Sequence, residues 1–166
     1  MSLPKLQTER AIRIPINGIE IPYPANILAS GNSTSVTASK LVATGANFIT
    51  SGVKIGDIVY NVQTPASPTS ATVTAIDSAT QLSLSANIFT TSPNAYVVYQ
   101  SAGNNGVYAY PILYVGTGGN LAVETEGGEI VAFSSVPIGF FPFKIKRVLT
   151  TGGGIATTAS NLIALF

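Results

Sequence analysis

Short runs in which apolar and polar residues alternate, broken by glycine, proline or serine, fill this chain from end to end. A strand turns successive side chains to opposite faces, so a period of two predicts β-structure, and runs this short at such regular spacing predict a compact barrel or sandwich. In the middle of the chain the pattern predicts strands over 35–42, 57–62, 71–76, 81–85 and 96–99. It places Val53, Ile55, Ile58, Tyr60 and Val62 on one inner face, opposed by Val73, Ala75, Leu82, Leu84, Val97 and Tyr99. Local helix is expected at most over 39–43, because β-branched and small polar residues dominate everywhere.

The last third reads as strands punctuated by glycine. Residues 112–115 are apolar on both faces, whereas Leu121, Val123 and Thr125 point one way and Ala122 and Glu124 the other. Gly116, Gly118 and Gly119 are expected to supply positive backbone angles for a hairpin reversal, with a second turn at Gly127-Gly128.

Residues 1 to about 30 read as an extended arm. Pro4, Pro15, Pro22 and Pro24 exclude a helix and disfavour a central strand. Asn17-Gly18 predicts a turn that folds 12–16 onto 19–21 as a small ribbon. The polar stretch 30–35 and the segment 101–106 read as joints. The expected architecture is therefore all-β. The arm (1–30) and the last part (103–166) form a β-sandwich or jelly-roll-like domain, and 31–102 is an inserted small β-barrel module.

Composition changes the picture in one respect. Of 166 residues only 9% are charged while 46% are hydrophobic, against a usual quarter charged. So much apolar material with so few ions predicts a chain built into an oligomer or a larger assembly. A net charge of +1 with no basic cluster excludes a nucleic-acid-binding surface as the expectation. With no Cys there are no disulfides or thiolate metal sites, and with no His the commonest general base is absent. The first ten residues lack the apolar core of a signal peptide, and no run is long enough for a membrane helix, so no membrane partner is expected. The terminal Leu162, Ala164 and Phe166 have the alternation of an outer-membrane barrel strand, but that reading needs an export signal and paired ten-residue strands, which are not found.

Candidate chemistry is sparse. Glu124 and Glu126 lie two apart on one strand with Glu129 across a turn, a spacing compatible with paired carboxylates or a divalent cation, though a solvated face explains it more simply. Gly116-Thr-Gly-Gly119 lacks the Lys-Ser/Thr ending of a phosphate loop, and Leu121 replaces the third glycine of a dinucleotide fingerprint. No catalytic residue, cofactor or metal is expected, and the chain is read as not an enzyme.

Four pieces of the last third carry a resemblance: Leu113-Tyr-Val-Gly-Thr-Gly-Gly119, Val136-Pro137 with Gly139, Lys146-Arg-Val-Leu-Thr-Thr151, and Ile155 through Thr157-Thr158 to Leu162-Ile-Ala-Leu-Phe166. In order and spacing they resemble the head-spike base and capsid decoration proteins of tailed bacteriophages and gene transfer agents. The runs Gly52–Asn61, Ala71–Asp77 and Gln81–Phe89 resemble a small β-barrel module that recurs as an insertion in phage structural proteins. The resemblance implies a structural virion protein, made in the host cytoplasm and seated on the capsid exterior. It would bind the major capsid protein and itself, as a homotrimer or homopentamer, with a spike or fibre protein as a further partner.

The candidate interface follows from the residues. Ile12, Arg13 and Ile14 of the arm, with Lys5 and Arg10, are expected either to cover an edge of their own domain or to reach a neighbour. Val136-Pro-Ile-Gly-Phe-Phe-Pro-Phe143 holds three phenylalanines, Phe140, Phe141 and Phe143, which a two-layer domain cannot all enclose. Lys144 and Lys146 alternate with apolar residues, and are read either as an edge guarded by charge or as contacts to acidic capsid loops. The alternative functions are a receptor- or glycan-binding appendage, with Tyr96, Tyr99, Tyr108 or Tyr110 as stacking platforms, and a tail or collar protein.

Overall fold

The computed structural model describes residues 10–64, 68–104, 106 and 109–166. Its strands are β1 (Ala11–Arg13), β2 (Ile27–Asn32), β3 (Lys40–Val42), β4 (Ile58–Asn61), β5 (Thr69–Ser78), β6 (Gln81–Leu84) and β7 (Ala95–Tyr99). A 3-10 turn, Ala102–Asn104, follows. Then come β8 (Ile112–Thr117), β9 (Gly119–Thr125), β10 (Ile130–Val136), β11 (Gly139–Phe141), β12 (Ile145–Leu149), β13 (Thr151–Gly152), β14 (Ile155–Ala156) and β15 (Ser160–Leu165). The fold is all-β and sandwich-like, and residues 39–43 contain strand β3 where local helix was the alternative.

A four-stranded antiparallel sheet in the order β1-β15-β8-β11 packs on a three-stranded sheet in the order β10-β9-β12. Between them lie Leu113, Val115, Leu121, Val123, Ile145 and Leu162, all buried, with Phe141 and Ala164. The chain changes sheets at Gly118, so β8 and β9 do not form the hairpin expected there; they belong to different sheets. None of Gly116, Gly118 and Gly119 has a positive φ. Their role is close approach: a Cβ on Gly118 would lie 2.8 Å from Val136 O, and one on Gly119 2.7 Å from Ala159 N. A bend of this kind is how one strand can serve two packed sheets. The second turn does have the expected character, with Gly128 at φ +91° between β9 and β10.

The arm does not fold on itself. β1 lies along β15, with Ala11 opposite Leu165 and Arg13 opposite Ile163. Past Ile14, whose N–H donates to Leu162 O at 3.2 Å, the chain crosses to the other sheet. There Gly18 N donates to Val148 O and Ile21 N to Lys146 O, both at 2.9 Å. Asn17-Gly18 is a turn, but its two flanks pair with different sheets, so residues 14–21 form a strap that closes one side of the sandwich. Proline at 15 suits a crossing in which no ladder bond is required.

The other sheet runs β2-β7-β4-β5-β6-β3 and curls until its ends meet. Thr34 N donates to Val42 O at 2.8 Å, and Ser35 bridges Val42. Ten-residue β5 serves both halves because its register shifts twice, between Val73 and Ala75 and between Ile76 and Ser78, and such bulges bend a strand. Residues 27–32, read as the end of the arm and the start of a polar joint, are instead an edge strand paired with β7. Gly31 lets Tyr96 lie close over this strand, since a Cβ would come within 3.2 Å of the Tyr96 hydroxyl.

The inner face of this curled sheet is the expected one at Val53, Val73, Leu82 and Leu84, but it is reversed in β4 and β7. Val59, Tyr96 and Val98 join Leu41, Phe48 and Phe89 in its core, whereas Ile58, Tyr60 and Tyr99 point the other way and pack against Ile12 and Ile19 of the arm. Ile55 is exposed. Strand β4 is buried on both faces, one against its own core and one against the strap, so alternation cannot choose between them. Asn17 Nδ2 adds a bond to Ser70 Oγ at 2.9 Å across the same contact.

Candidate functional site

Strand register divides the expected interface residues into two sets. In the four-stranded sheet Ile12, Ala164, Leu113 and Phe141 stand side by side on one row, and Arg13, Ile163, Tyr114 and Phe140 on the next. Neighbouring rows face opposite ways. The first row faces inward: Leu113, Phe141 and Ala164 are buried with Ile14 in the sandwich core, and Ile12 packs against it. As interface residues Ile12, Ile14 and Phe141 are therefore corrected, because they fill their own chain's interior.

The second row faces out. Phe140 is 67% exposed and meets Tyr114 edge to face at 5.7 Å. Arg13 Nη1 donates to Asn161 Oδ1 at 3.2 Å on the same side. Ile112 and Leu165, opposite one another two residues away, share this face, and Ile138, just before β11, is 63% exposed. None of these outward apolar side chains belongs to a buried cluster. The outer face of the three-stranded sheet differs, because the β13–β14 hairpin roofs it: a Cβ on Gly152 would lie 3.1 Å from Ala122 Cβ. Phe143 is partly exposed, in a cluster with Phe133 and Phe141 at 5.3 and 5.1 Å.

The acidic and basic candidates answer one another. Glu124 on β9 lies 3.1 Å from Lys146 Nζ and 2.9 Å from Arg147 Nε on β12, and Glu126 lies 3.6 Å from Lys144 Nζ. Glu129 accepts a bond from the Thr125 hydroxyl, which holds its carboxyl below the usual carboxylate range. Glu124 and Glu126 thus face cations instead of forming a carboxylate pair. Lys144 and Lys146 thus reach toward β9, while the other edge of β12 is taken by the strap, and a surface pair of this kind is worth little in stability.

Asp57 is the one fully buried carboxylate among the described residues. It accepts Lys54 N at 2.7 Å, Ser101 N at 2.9 Å and Asn104 Nδ2 at 2.9 Å. Three donors satisfy it, so it fastens the point where the chain leaves the curled sheet. Among the described residues no group of three or more acidic, His or Cys side chains is placed to hold a metal ion.

A groove of about 330 Å³ is lined by Ser30, Asn32, Asn47, Ser51 and Tyr96 with small residues. Its hydroxyls and amides can hydrogen-bond but cannot act as acid or base near neutral pH. Tyr96 is only 3% exposed and Tyr99 is buried, which corrects their reading as sugar-stacking platforms. Tyr110 is half-buried, and Tyr108, Lys5 and Pro65 lie outside the described residues.

Sequence reasoning did not single out Tyr114, Ile163, Ile112, Leu165 and Ile138. A signal existed: 112–115 and 162–165 are apolar at every position, which a strand with one wet face does not require. No protein-family model, no curated protein and no solved structure matches the chain.

Proposed function

We propose that this chain is a non-enzymatic structural component of a tailed-phage virion, a capsid decoration or head-spike base protein that associates with itself and binds the major capsid protein. The observation that carries the reading is the apolar outer face of the four-stranded sheet, open to water in a chain with 8 basic and 7 acidic residues. A contiguous apolar face of this kind marks an interaction site.

The four resembling pieces support the same reading, since they make one folded unit. Residues 113–119 turn the corner between sheets, and 136–139 follow them around it. The Thr157 and Thr158 hydroxyls accept the N–H groups of Ala122 and Asn120 at 2.9 and 2.8 Å, tying 155–166 to β9. The mechanism is adhesive. The sandwich sits on the capsid exterior in three or five copies, the curled sheet projects outward, and a spike or fibre protein attaches above. Co-sedimentation with capsids that lack this protein tests it: saturable binding at a fixed number of copies supports the reading, and protein left in the supernatant overturns it.

A further inference from the structure

We infer that the groove beside β2 is a docking slot for an extended, uncharged segment of another protein chain, which adds to the curled sheet as an antiparallel strand on Ser30 and Asn32. Such a slot works wherever the protein resides. Main-chain groups of successive strand residues point to alternate sides. Ser33 N donates to Asn94 O at 2.9 Å, and Gly31 lies opposite Tyr96 in the same register, so Ser33 and Gly31 are turned toward β7. Thr34 N donates the other way, to Val42 O at 2.8 Å. Ser30 and Asn32 have the parity of Thr34. Ala95, opposite Asn32, is already committed to the far side of β7, where its carbonyl accepts Val62 N at 2.9 Å. The N–H and C=O groups of Ser30 and Asn32 therefore open into the groove, and no main-chain partner meets them there among the described residues.

The groove lies where the curled sheet stops short of full closure. Val42 pairs antiparallel with Ser35, but Ala43 N then donates to Thr80 O and Ala46 N to Ala43 O, and the chain turns away from β2. Between the diverging segments is the space of about 330 Å³, with Ser30 and Asn32 on one wall and Gly45, Ala46, Asn47 and Ser51 on the other. An added strand takes the course that 43–47 would have followed had the pairing continued, which sets its direction as antiparallel. Ser30 and Asn32 each exchange an N–H···O bond in both directions with it, as in other cases of strand addition to a sheet edge.

The lining selects the occupant. None of its residues is charged, and apart from Tyr96 they are small. Tyr96 is 3% exposed and crosses Gly31, and its hydroxyl reaches the groove without a hydrogen-bond partner among the described residues. A neutral strand with small hydroxyl or amide side chains satisfies both the main chain and that hydroxyl, whereas a charged one finds no counter-charge. Because the second wall stands where a further strand would lie, the slot takes a single strand. An edge of another sheet does not fit, since β2 of a second copy would carry its own β7 into that wall. The edge also lacks the usual guards: β2 has no charged residue and no proline, and its bulge, between Ile27 and Ala29, precedes the stretch at the groove.

Two measurements on the full chain test the assignment. The probe is a display library of segments about eight residues long, built from Gly, Ala, Ser, Thr, Asn and Val and selected on the wild type. Selected segments, made as capped peptides, are expected to bind. In amide hydrogen exchange the N–H groups of Ser30 and Asn32 are expected to exchange fast in the free protein and at least about tenfold more slowly in the complex, with Gly31 and Ser33 protected in both. No selected segment, or binding that leaves the Ser30 and Asn32 amides fast, overturns the assignment. Slow exchange of both amides in the free protein that is lost on dilution puts a second copy in the slot and overturns it too. Saturable binding of maltohexaose in the groove with no peptide selected makes it a saccharide site instead.

Ser30→Pro removes an outward N–H that the fold does not use, so the thermal midpoint is expected to hold while peptide affinity falls at least about tenfold. Should that variant fold poorly, Ser51→Lys puts a charge on the opposite wall and is expected to lower affinity by a similar factor. Full affinity in either folded variant contradicts the assigned slot.

Discussion

Tyr60 and Tyr99 meet edge to face with ring centroids 5.5 Å apart, on the side of the curled sheet that turns away from its own core. With Ile58 they pack against Ile12 and Ile19, so the strap that closes the sandwich is also the surface on which the second unit rests. Truncating either ring leaves a cavity at that junction. Tyr60→Ala is expected to cost about 3–5 kcal/mol of stability, as large-to-small aromatic changes do. Tyr60→Phe, which removes only the hydroxyl bonded to Ser70, is expected to cost about 1 kcal/mol. Urea unfolding of the two variants checks the ratio.

The same burial has a signature in alkali. Desolvation raises the hydroxyl pKa of Tyr60 above the ordinary tyrosine value, and of Tyr96 and Tyr99 in the same direction. A raised folded-state pKa gives stability that is complete below the unfolded value near 10 and is lost as pH climbs beyond it. Absorbance of tyrosinate during an alkaline titration should show these three ionising together with loss of the fold, and Tyr60→Phe should extend the stable range upward.

In acid the relevant group is Asp77. Hydrogen bonds from Lys40 first, then Gln81 and Ser83, pull its carboxyl down to about 2. Lys40 Nζ lies 2.7 Å away and joins β3 to β5 across β6. A depressed pKa gives stability that is complete above the unfolded value near 4 and is lost as pH falls through about 2. Asp77→Asn should flatten the acid limb of the stability profile in that window. At neutral pH it should cost less than about 1 kcal/mol, because the pair is nearly a third exposed.

Glycines separate two roles by experiment. Gly119→Ala forces a Cβ to within 2.7 Å of backbone at Ala159 and is expected to cost about 1–3 kcal/mol or more. Gly128→Ala meets nothing within 4 Å but holds φ at +91°, so strain alone, about 1–2 kcal/mol, is expected. Thermal unfolding of the two variants distinguishes crowding from strain.

These comparisons show which parts of the fold are legible in the residues. Strand existence is, because the period of two in 57–62, 71–76 and 81–85 is written in the chain and β4, β5 and β6 lie there. Facing is legible at Val73, Leu82 and Leu84 but not in β4: Ile58 and Val59 are equally apolar because each meets a different core, and only the tertiary contact tells which is which. Gly118 reads as a turn because sequence cannot distinguish a residue that needs a positive angle from one that needs the absence of a Cβ. The arm's pairing is hidden for a similar reason, since Asn17-Gly18 turns the chain whichever strands lie beside it. For the candidate site, Arg13 and Phe140 are legible as polar-edge and aromatic oddities, while Tyr114 and Ile163 look like core until β8 and β15 are seen to have an outward side.

The account as a whole turns on where this protein resides, and counting it in purified phage particles by quantitative mass spectrometry tests that most directly. A fixed whole number of copies for each shell, in multiples of three or five, is the predicted result. Phage particles assembled in cells that express this chain but containing none of it would contradict the account.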